Sequence, residues 1–344
     1  MSLAPREILS AARRVVVLDF GGLGDHIHSL PSLWLIRQSA PQAELHVVGT
    51  AGFYGPLTPW IAHTHLYVKR GLRGDLAFLG WLRGLKADAV IAITGSNHAC
   101  AFAGLSGAAL RVARKADANK RWRWQPWLLN AVVDAPYHEI PMYRSRWNAF
   151  RQLGLDGEAP EFPVAIDTGL RRAAGVDKDG YLHLSASASD DRRDLPMAQM
   201  IALWNQLHAR LPGHRIVVSG NATARGRERL ATLVAGIDFR PWRVFDGTLD
   251  VPAFLSVMQG AVLHVGPDSG GLHVARVAGT PSVSWFRPNH HLANWFPDDP
   301  ERHLAFVAPE SRDDGLYGIA TETLVEATLS LLPATATATV TETA

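Results

Sequence analysis

Residues 261–288 read AVLHVGPDSGGLHVARVAGTPSVSWFRP, and this run decides the fold. Its first five residues, 261–265, are apolar and rich in β-branching, and Gly266 and Pro267 end them. They predict a buried strand. Asp268 and Ser269 follow, and both are good helix N-caps. The spacing predicts a helix over 270–278, with Gly279 at the left-handed closing position and Pro281 blocking continuation. Residues 282–286 predict a second buried strand. The turn of this strand–helix–strand unit sits at the carboxyl end of a sheet. Helix N–H groups beside two glycines there suit a phosphate. Ser269 and His273, four residues apart, share a face near that end. Plain capping by Asp268 and Ser269 is the alternative reading of these residues alone.

The same alternation extends outward through the chain. Residues 15–20 predict a strand, followed by the glycine-rich turn Gly21, Gly22, Leu23, Gly24 and then Asp25. The glycine spacing is not that of a dinucleotide fingerprint, and no Gly-Lys-Ser/Thr follows to make a P-loop. Ile27, Leu30, Trp34 and Leu35 recur at helical spacing, with Pro31 either starting or bending that helix. Strands are expected at 44–49, 66–69, 88–94 and 109–113, with a helix at 76–85 and a polar turn at 95–97. An amphipathic helix lies within 137–155. Pro160, Pro163, Gly169, Gly175 and Gly180 mark a change of character with a short helix inside it. Beyond it come strands at 181–185, 215–219 and 244–245, and helices at 196–211, 225–235, 251–259 and 321–332. This pattern predicts an α/β chain of two Rossmann-like, doubly wound domains facing across a cleft, 1–165 and 166–332. The tail 333–344, PATATATVTETA, is low in complexity and expected to be disordered.

Composition agrees with two domains. The chain has 344 residues, of which 47% are hydrophobic, enough for two cores. No run of about 18 apolar residues predicts a membrane span. Arg and Glu in MSLAPREILSAARR interrupt any signal peptide, so cytoplasmic residence is expected. Cys100 is alone, which excludes a disulfide framework and a cysteine-held metal. Net charge is only +2, but Arg111, Arg114, Lys115, Lys120, Arg121 and Arg123 crowd one segment with Trp122, Trp124 and Trp127. That segment is either a solvated face with inward tryptophans or a surface for an anionic partner. No nucleic-acid motif supports a nucleic-acid partner.

Three loops fall at carboxyl strand ends: 21–25, 185–194 and 267–273. Together they supply backbone N–H groups, hydroxyls, arginines and carboxylates that suit a diphosphate joined to a sugar. At these residues the chain resembles a known family. GGLGDHIHSLPSL is similar to the N-terminal motif S-L-G-D-x-x-H-T-L-P-A-L of the lipopolysaccharide heptosyltransferases, glycosyltransferase family 9. GPDSGGLHVARVAGTPSVSWFRP is similar to its D-T-G-x-x-H-L-A-A-x-x-G-T-P-x-V-x-L-F-G-P. Order and separation match over most of the chain. The resemblance implies the glycosyltransferase B fold and an inverting transfer of heptose from ADP-heptose to a lipopolysaccharide core or related envelope glycan. It implies no metal and no cofactor.

Residue by residue, the resemblance makes Asp25 the general base, with plain N-capping as the alternative. Gly22 and Gly24 are substrate-contacting glycines of its loop. Asp268, Ser269, Gly270, Gly271 and His273 become the donor-binding turn. In the 185–194 loop the family pattern of a hydroxyl-bearing turn, a lysine and Trp-Pro is replaced by Ser187, Ser189, Arg192, Arg193, Leu195 and Pro196. Arg193 takes the lysine's place and preserves charge but not geometry. Asn221 is a further donor-side candidate, and Arg287 stands where the family has glycine. Asp190–Asp191 and Asp298–Asp299 are adjacent carboxylates expected to be solvated rather than metal-bound. An anionic saccharide or lipid-linked acceptor is expected on the N-terminal domain, near His63, His65, Arg70, Arg73 and the segment Arg111–Arg123, with peripheral contact at the inner membrane face. A nucleotide-sugar epimerase or a non-catalytic sugar-nucleotide or glycan-binding homologue are the competing classes. A protein-modifying heptosyltransferase would need a cysteine-held metal that Cys100 alone cannot build.

Overall fold

The structure is a computed structural model, and it describes residues 4–50, 52–115, 125–134, 140–288, 292–296 and 298–332. The chain divides into two compact units, Met1–Ala165 and Ile166–Ala344. The low-complexity tail 333–344 lies outside the described residues.

The first unit runs α1 (Pro5–Ala11), β1 (Arg14–Asp19), α2 (Leu23–Ser39), β2 (Glu44–Gly49), β3 (His63–Leu66), α3 (Gly71–Gly84), β4 (Ala89–Ala92), α4 (Asn97–Leu105), β5 (Leu110–Lys115), α5 (Gln125–Leu128), β6 (Ala131–Asp134) and α6 (Met142–Arg151). Its six strands form one sheet ordered β3-β2-β1-β4-β5-β6. Every described pairing in it is parallel. Val15 to Leu18 of β1 and Ala89 to Ala92 of β4 are fully buried. Continuous apolar runs of this kind suit central strands covered on both faces.

The second unit runs α7 (Thr168–Ala173), β7 (Tyr181–Ser185), α8 (Met197–Arg210), β8 (Ile216–Ser219), α9 (Ala224–Gly236), β9 (Arg243–Phe245), α10 (Val251–Gly260), β10 (Ala261–Pro267), α11 (Gly270–Ala278), β11 (Ser282–Phe286), α12 (Leu292–Trp295), β12 (His303–Val307), β13 (Glu310–Arg312), β14 (Gly315–Tyr317) and α13 (Thr321–Leu331). Its main sheet is ordered β12-β11-β10-β7-β8-β9 and is again parallel in every described pairing. Trp204 of α8 and Trp285 of β11 are fully buried in its core.

Numbered within each unit, both sheets follow the order 3-2-1-4-5-6 of a dinucleotide-type doubly wound fold. The direction of winding reverses between β1 and β4 in the first unit and between β7 and β10 in the second. Loops leaving the carboxyl ends of those strands border the crevice where such sheets take ligands. Residues 20–22 follow β1 and lead into α2, residues 186–194 follow β7 and residues 268–269 follow β10.

The deciding stretch folds as its residues dictate. Ser269 caps α11 by accepting from the Gly271 N–H at 3.3 Å, and Gly279 closes it with φ 73°. Elsewhere the structure corrects the expectations. The helix of 23–39 is unbroken, and Pro31 lies inside it rather than at its start. The third strand lies at His63–Leu66, three residues before its expected place. It is an edge strand with exposed polar residues, so its His-Thr-His start carries no apolar signal. Residues 97–105, expected to begin as a polar turn, form α4, capped by Ser96 through the Ala99 N–H. Described helix 142–151 is shorter than the 137–155 segment, of which 137–139 lie outside the described residues.

Candidate active site

In the first unit the site grows from the end of β1. Asp19, its last residue, is fully buried. Its Oδ2 accepts from His26 Nδ1 at 3.0 Å and from the Tyr54 hydroxyl. Burial works to raise the Asp19 pKa, but His26, Arg146 and Tyr54 outweigh it, and the net direction is down. The same burial, reinforced by Asp19, pushes the Tyr54 hydroxyl far up. A buried carboxylate, an imidazole and a phenol therefore lock the first turn of α2 to the sheet.

Asp25 sits on that turn. Its Oδ2 accepts from the Gly22 N–H at 3.2 Å, and its Oδ1 is held by the Arg146 guanidinium. Arg146 also donates to the Asp25 backbone carbonyl at 2.6 Å and to Ser29 Oγ at 2.8 Å. The Arg146 side chain is 2% exposed, whereas that of Asp25 is 31% exposed. A carboxylate held at both oxygens yet partly exposed can still meet a substrate. Gly21 makes this fit possible, since a Cβ there would stand 2.3 Å from Asp25 Cβ. Helix N-termini favour negative charge, which suits a carboxylate in the first turn. Capping and proton acceptance are thus compatible roles for one side chain.

In the second unit the residues after β7 and β10 converge. Arg193 places NH1 3.4 Å from both Oδ2 and the carbonyl oxygen of Asp268. Burial raises the Asp268 pKa, and the positive charges of Arg193 and Arg287 work against that rise. Ser187 is buried and accepts from Asn221 Nδ2 at 3.1 Å, while the same amide donates to the Ala188 carbonyl at 3.0 Å. Asn221 thereby ties the β8–α9 turn to the β7–α8 loop. His273 is buried, with its ring centroid 5.7 Å from that of Trp295. Gly270 and Gly271 open α11.

Beneath these loops lies a row of histidines in register, His183 on β7, His264 on β10 and His303 two strands away on β12. His183 and His264 share a hydrogen bond of 2.9 Å between their Nδ1 atoms, and His303 Nδ1 meets Ser282 Oγ at 2.8 Å. Burial pushes His183 down to about 3 and His303 down to about 4, with the same direction for His264. At neutral pH this floor carries no charge.

Several expected site residues fall elsewhere. Arg192 is half-exposed and pairs with Asp190 at 2.9 Å. Ser189 is exposed and Gly24 lies inside α2. Asp190, Asp191 and Asp298 are not merely solvated, because Arg192, Arg225 and Arg276 hold them. Arg114, expected on an acceptor surface, is buried and donates to the carbonyls of Ile93 and Thr94. Arg111 donates to the carbonyls of Leu128 and Ala108. Trp127 is 87% exposed, while Lys120, Arg121, Arg123, Trp122 and Trp124 lie outside the described residues. His63 and His65 occupy β3, opposite His46 and Val48 of β2. Arg70 and Arg73 are exposed and follow the carboxyl end of β3.

Other residues escaped the sequence reading. Arg146 had a signal, a lone cation between Met142 and Phe150 on one buried helical face. Asp194 is buried, accepts from the Ala188 N–H at 2.7 Å and pairs with Arg225 and Arg229. Nothing in its immediate sequence marks that clamp, which fixes the 186–194 loop through a distant helix.

Comparisons with known proteins fit this architecture. Residues 76–295, more than half of the chain, match Glycosyltransferase family 9 (heptosyltransferase). No curated protein matches the sequence. Among solved structures, a glycosyl transferase family 9 protein from Veillonella parvula superposes with TM-score 0.76 at 17% identity, covering 93% of this chain and 97% of that one. E. coli ADP-heptose LPS heptosyltransferase II gives 0.73 at 17% identity, covering 92% and 98%. E. coli heptosyltransferase WaaC with ADP gives 0.67 at 18% identity, covering 93% and 99%. At these identities the likeness establishes the two-domain α/β fold of glycosyltransferase B type, and the family match establishes the enzyme class. The chain belongs to glycosyltransferase family 9, the heptosyltransferases, and is a glycosyltransferase.

Proposed function

We propose that the protein transfers a heptose from ADP-heptose to a hydroxyl of an anionic envelope saccharide, with inversion and without a metal. The observation that carries this reading is Asp25, a partly exposed carboxylate fixed by a buried arginine at a carboxyl strand end. In the proposed step Asp25 takes the proton of the acceptor hydroxyl. That oxygen bonds the anomeric carbon of the heptose while the bond from that carbon to the diphosphate oxygen breaks. The electron pair leaves with ADP.

The donor is assigned to the second unit. Arg193 and Arg287 supply positive charge, the first turn of α11 supplies N–H groups, and the histidine row adds no negative charge. E. coli heptosyltransferase WaaC, which shares the fold, is described with ADP and with ADP-2-deoxy-2-fluoro heptose. The acceptor is assigned to the first unit, where Arg70, Leu72, Arg73 and Leu76 are all exposed at the start of α3. Such a pairing suits a phosphorylated, lipid-linked substrate at a membrane surface. Among the described residues no helix is long and apolar enough to cross a membrane.

A thermal-shift panel with ADP, UDP, GDP, CMP and ADP-heptose tests the donor. A ligand at 100 times its Kd adds about 2.7 kcal/mol. Stabilisation by ADP and ADP-heptose alone is expected. Stabilisation by another nucleotide replaces the donor, and no shift from any of them removes the donor site.

A further inference from the structure

The first unit holds a second cluster that the transfer reaction does not use. The register of β2 and β3 sets His46 beside His63 and Val48 beside His65. Strand alternation then puts Glu44 and His46 on one face of β2, and His63 and His65 together on β3. One ligand atom from each of Glu44, His46 and His63 can be chosen so that all lie within 4.8 Å of one another. Ring centroids of His46 and His63 stand 4.4 Å apart.

His46 is the informative member. It is buried, and its Nε2 has no hydrogen-bond partner. The nearest acid atom, Glu44 Oε2, is 3.8 Å away, beyond hydrogen-bond reach. A buried polar atom left in this state normally has a missing partner. Its other nitrogen, Nδ1, lies 3.1 Å from His65 Nε2. When Nδ1 donates to His65, the tautomer leaves the Nε2 lone pair free, 3.8 Å from Glu44 Oε2. A ligand histidine is ordinarily oriented in this way, by a hydrogen bond from its second nitrogen. Arg14 grips Glu44 Oε2, the oxygen nearer His46 Nε2, through Nε at 3.2 Å and NH2 at 3.1 Å, so ligation by Oε1 requires the exposed Glu44 side chain to rotate.

We propose that Glu44, His46 and His63 form a site for a borderline divalent cation, best met by zinc, that ties edge strand β3 to β2. Two imidazoles and one carboxylate suit zinc, copper or nickel rather than calcium or magnesium. Ligand atoms of a tetrahedral zinc stand about 3.4 Å apart, given bonds of about 2.0–2.1 Å. Glu44 and His63 are exposed and can close the remaining gap by side-chain rotation. Water takes the fourth position. The site is separate from the transfer chemistry, since His46 pairs with Val16, three residues before Asp19 on β1. Its role is structural: β3 is four residues long and has β2 as its single neighbour in the sheet order.

The test is a zinc titration of the chelator-stripped full-length protein against a chromogenic competitor, together with its thermal midpoint. The expected result is one micromolar or tighter site whose filling raises the midpoint. Glu44→Gln and His63→Ala each weaken it by about tenfold or more and abolish the rise. His65→Phe, which removes no ligand, weakens it by roughly 10- to 100-fold. His98→Ala, a surface histidine paired with Asp75, leaves it unchanged. Because Glu44 and His63 are exposed, their variants keep the metal-free midpoint, which separates lost binding from lost folding. Affinity weaker than about 1 mM, or wild-type affinity in both Glu44→Gln and His63→Ala, overturns the site.

Discussion

The two units share one strand order and place polar loops at the same topological point, yet they equip it in opposite ways. At the end of β1 the floor is charged: Asp19 is held ionised by His26, and Arg146 anchors Asp25. At the ends of β7 and β10 the floor is a row of neutral histidines, and charge sits in the loops above it, in Arg193, Arg287 and Asp268 and in the Asp194 clamp with Arg225 and Arg229. A base must be a fixed carboxylate in a defined place, and buried partners provide that. A diphosphate needs cations and N–H groups near it and no competing negative charge beneath it. The same winding therefore supports either task, and the side chains under the turn decide which.

The largest effect expected from this contrast is at Arg146. Arg146→Met leaves Asp25 without its buried partner. Removing one member of a fully buried pair costs about 3–5 kcal/mol, and the partial exposure of Asp25 reduces that to roughly 2–3 kcal/mol. Chemical denaturation measures it, with turnover falling in parallel because the carboxylate is no longer held. An unchanged midpoint and unchanged turnover would break the claim that the first site is built on buried charge.

Such contacts show where the sequence stopped being legible. Local signals placed β10, α11 and β11 well, because caps, glycine and β-branched runs act within a few residues. Asp25 was readable as the acid opening a helix after a glycine turn. Its anchor lies 121 residues away on α6, and only the fold brings them together. The Asp194 clamp and the histidine row are long-range in the same sense. The edge strand β3 was misplaced because an exposed edge needs no apolar pattern, and α4 because Gly95-Ser96-Asn97 reads as a turn before it reads as a cap.

The next effect concerns pH and the second unit. His183 and His303 have folded pKa values of about 3 and about 4, below the usual 6.5. As pH falls below about 6.5 the unfolded chain takes up protons that the folded chain refuses, so stability drops. Each histidine contributes a slope of about 1.4 kcal/mol per pH unit until its folded value is reached, and none above 6.5. Thermal midpoints between pH 7.5 and 4.5 measure this, and His303→Gln should lose its share of the slope. A profile as steep in that variant as in the parent would mean that His303 is not a neutral part of the floor.

Arg193→Ala sharpens the comparison at the donor. Losing one charge-assisted contact should weaken ADP binding by about tenfold, or about 1.4 kcal/mol, as read by calorimetry. The smallest effect is Ser269→Ala, which removes the α11 cap and should cost about 1 kcal/mol of stability. Arg192→Ala serves as the contrast, with ADP affinity expected to stay near the parent because that side chain is occupied by Asp190.

The central claim is tested most directly by Asp25→Asn, assayed for turnover of ADP-heptose and for ADP affinity in the same preparation. The account predicts turnover lower by roughly 10²-fold or more, with ADP affinity kept within about twofold. Near-parental turnover would contradict the assignment of Asp25 as the base.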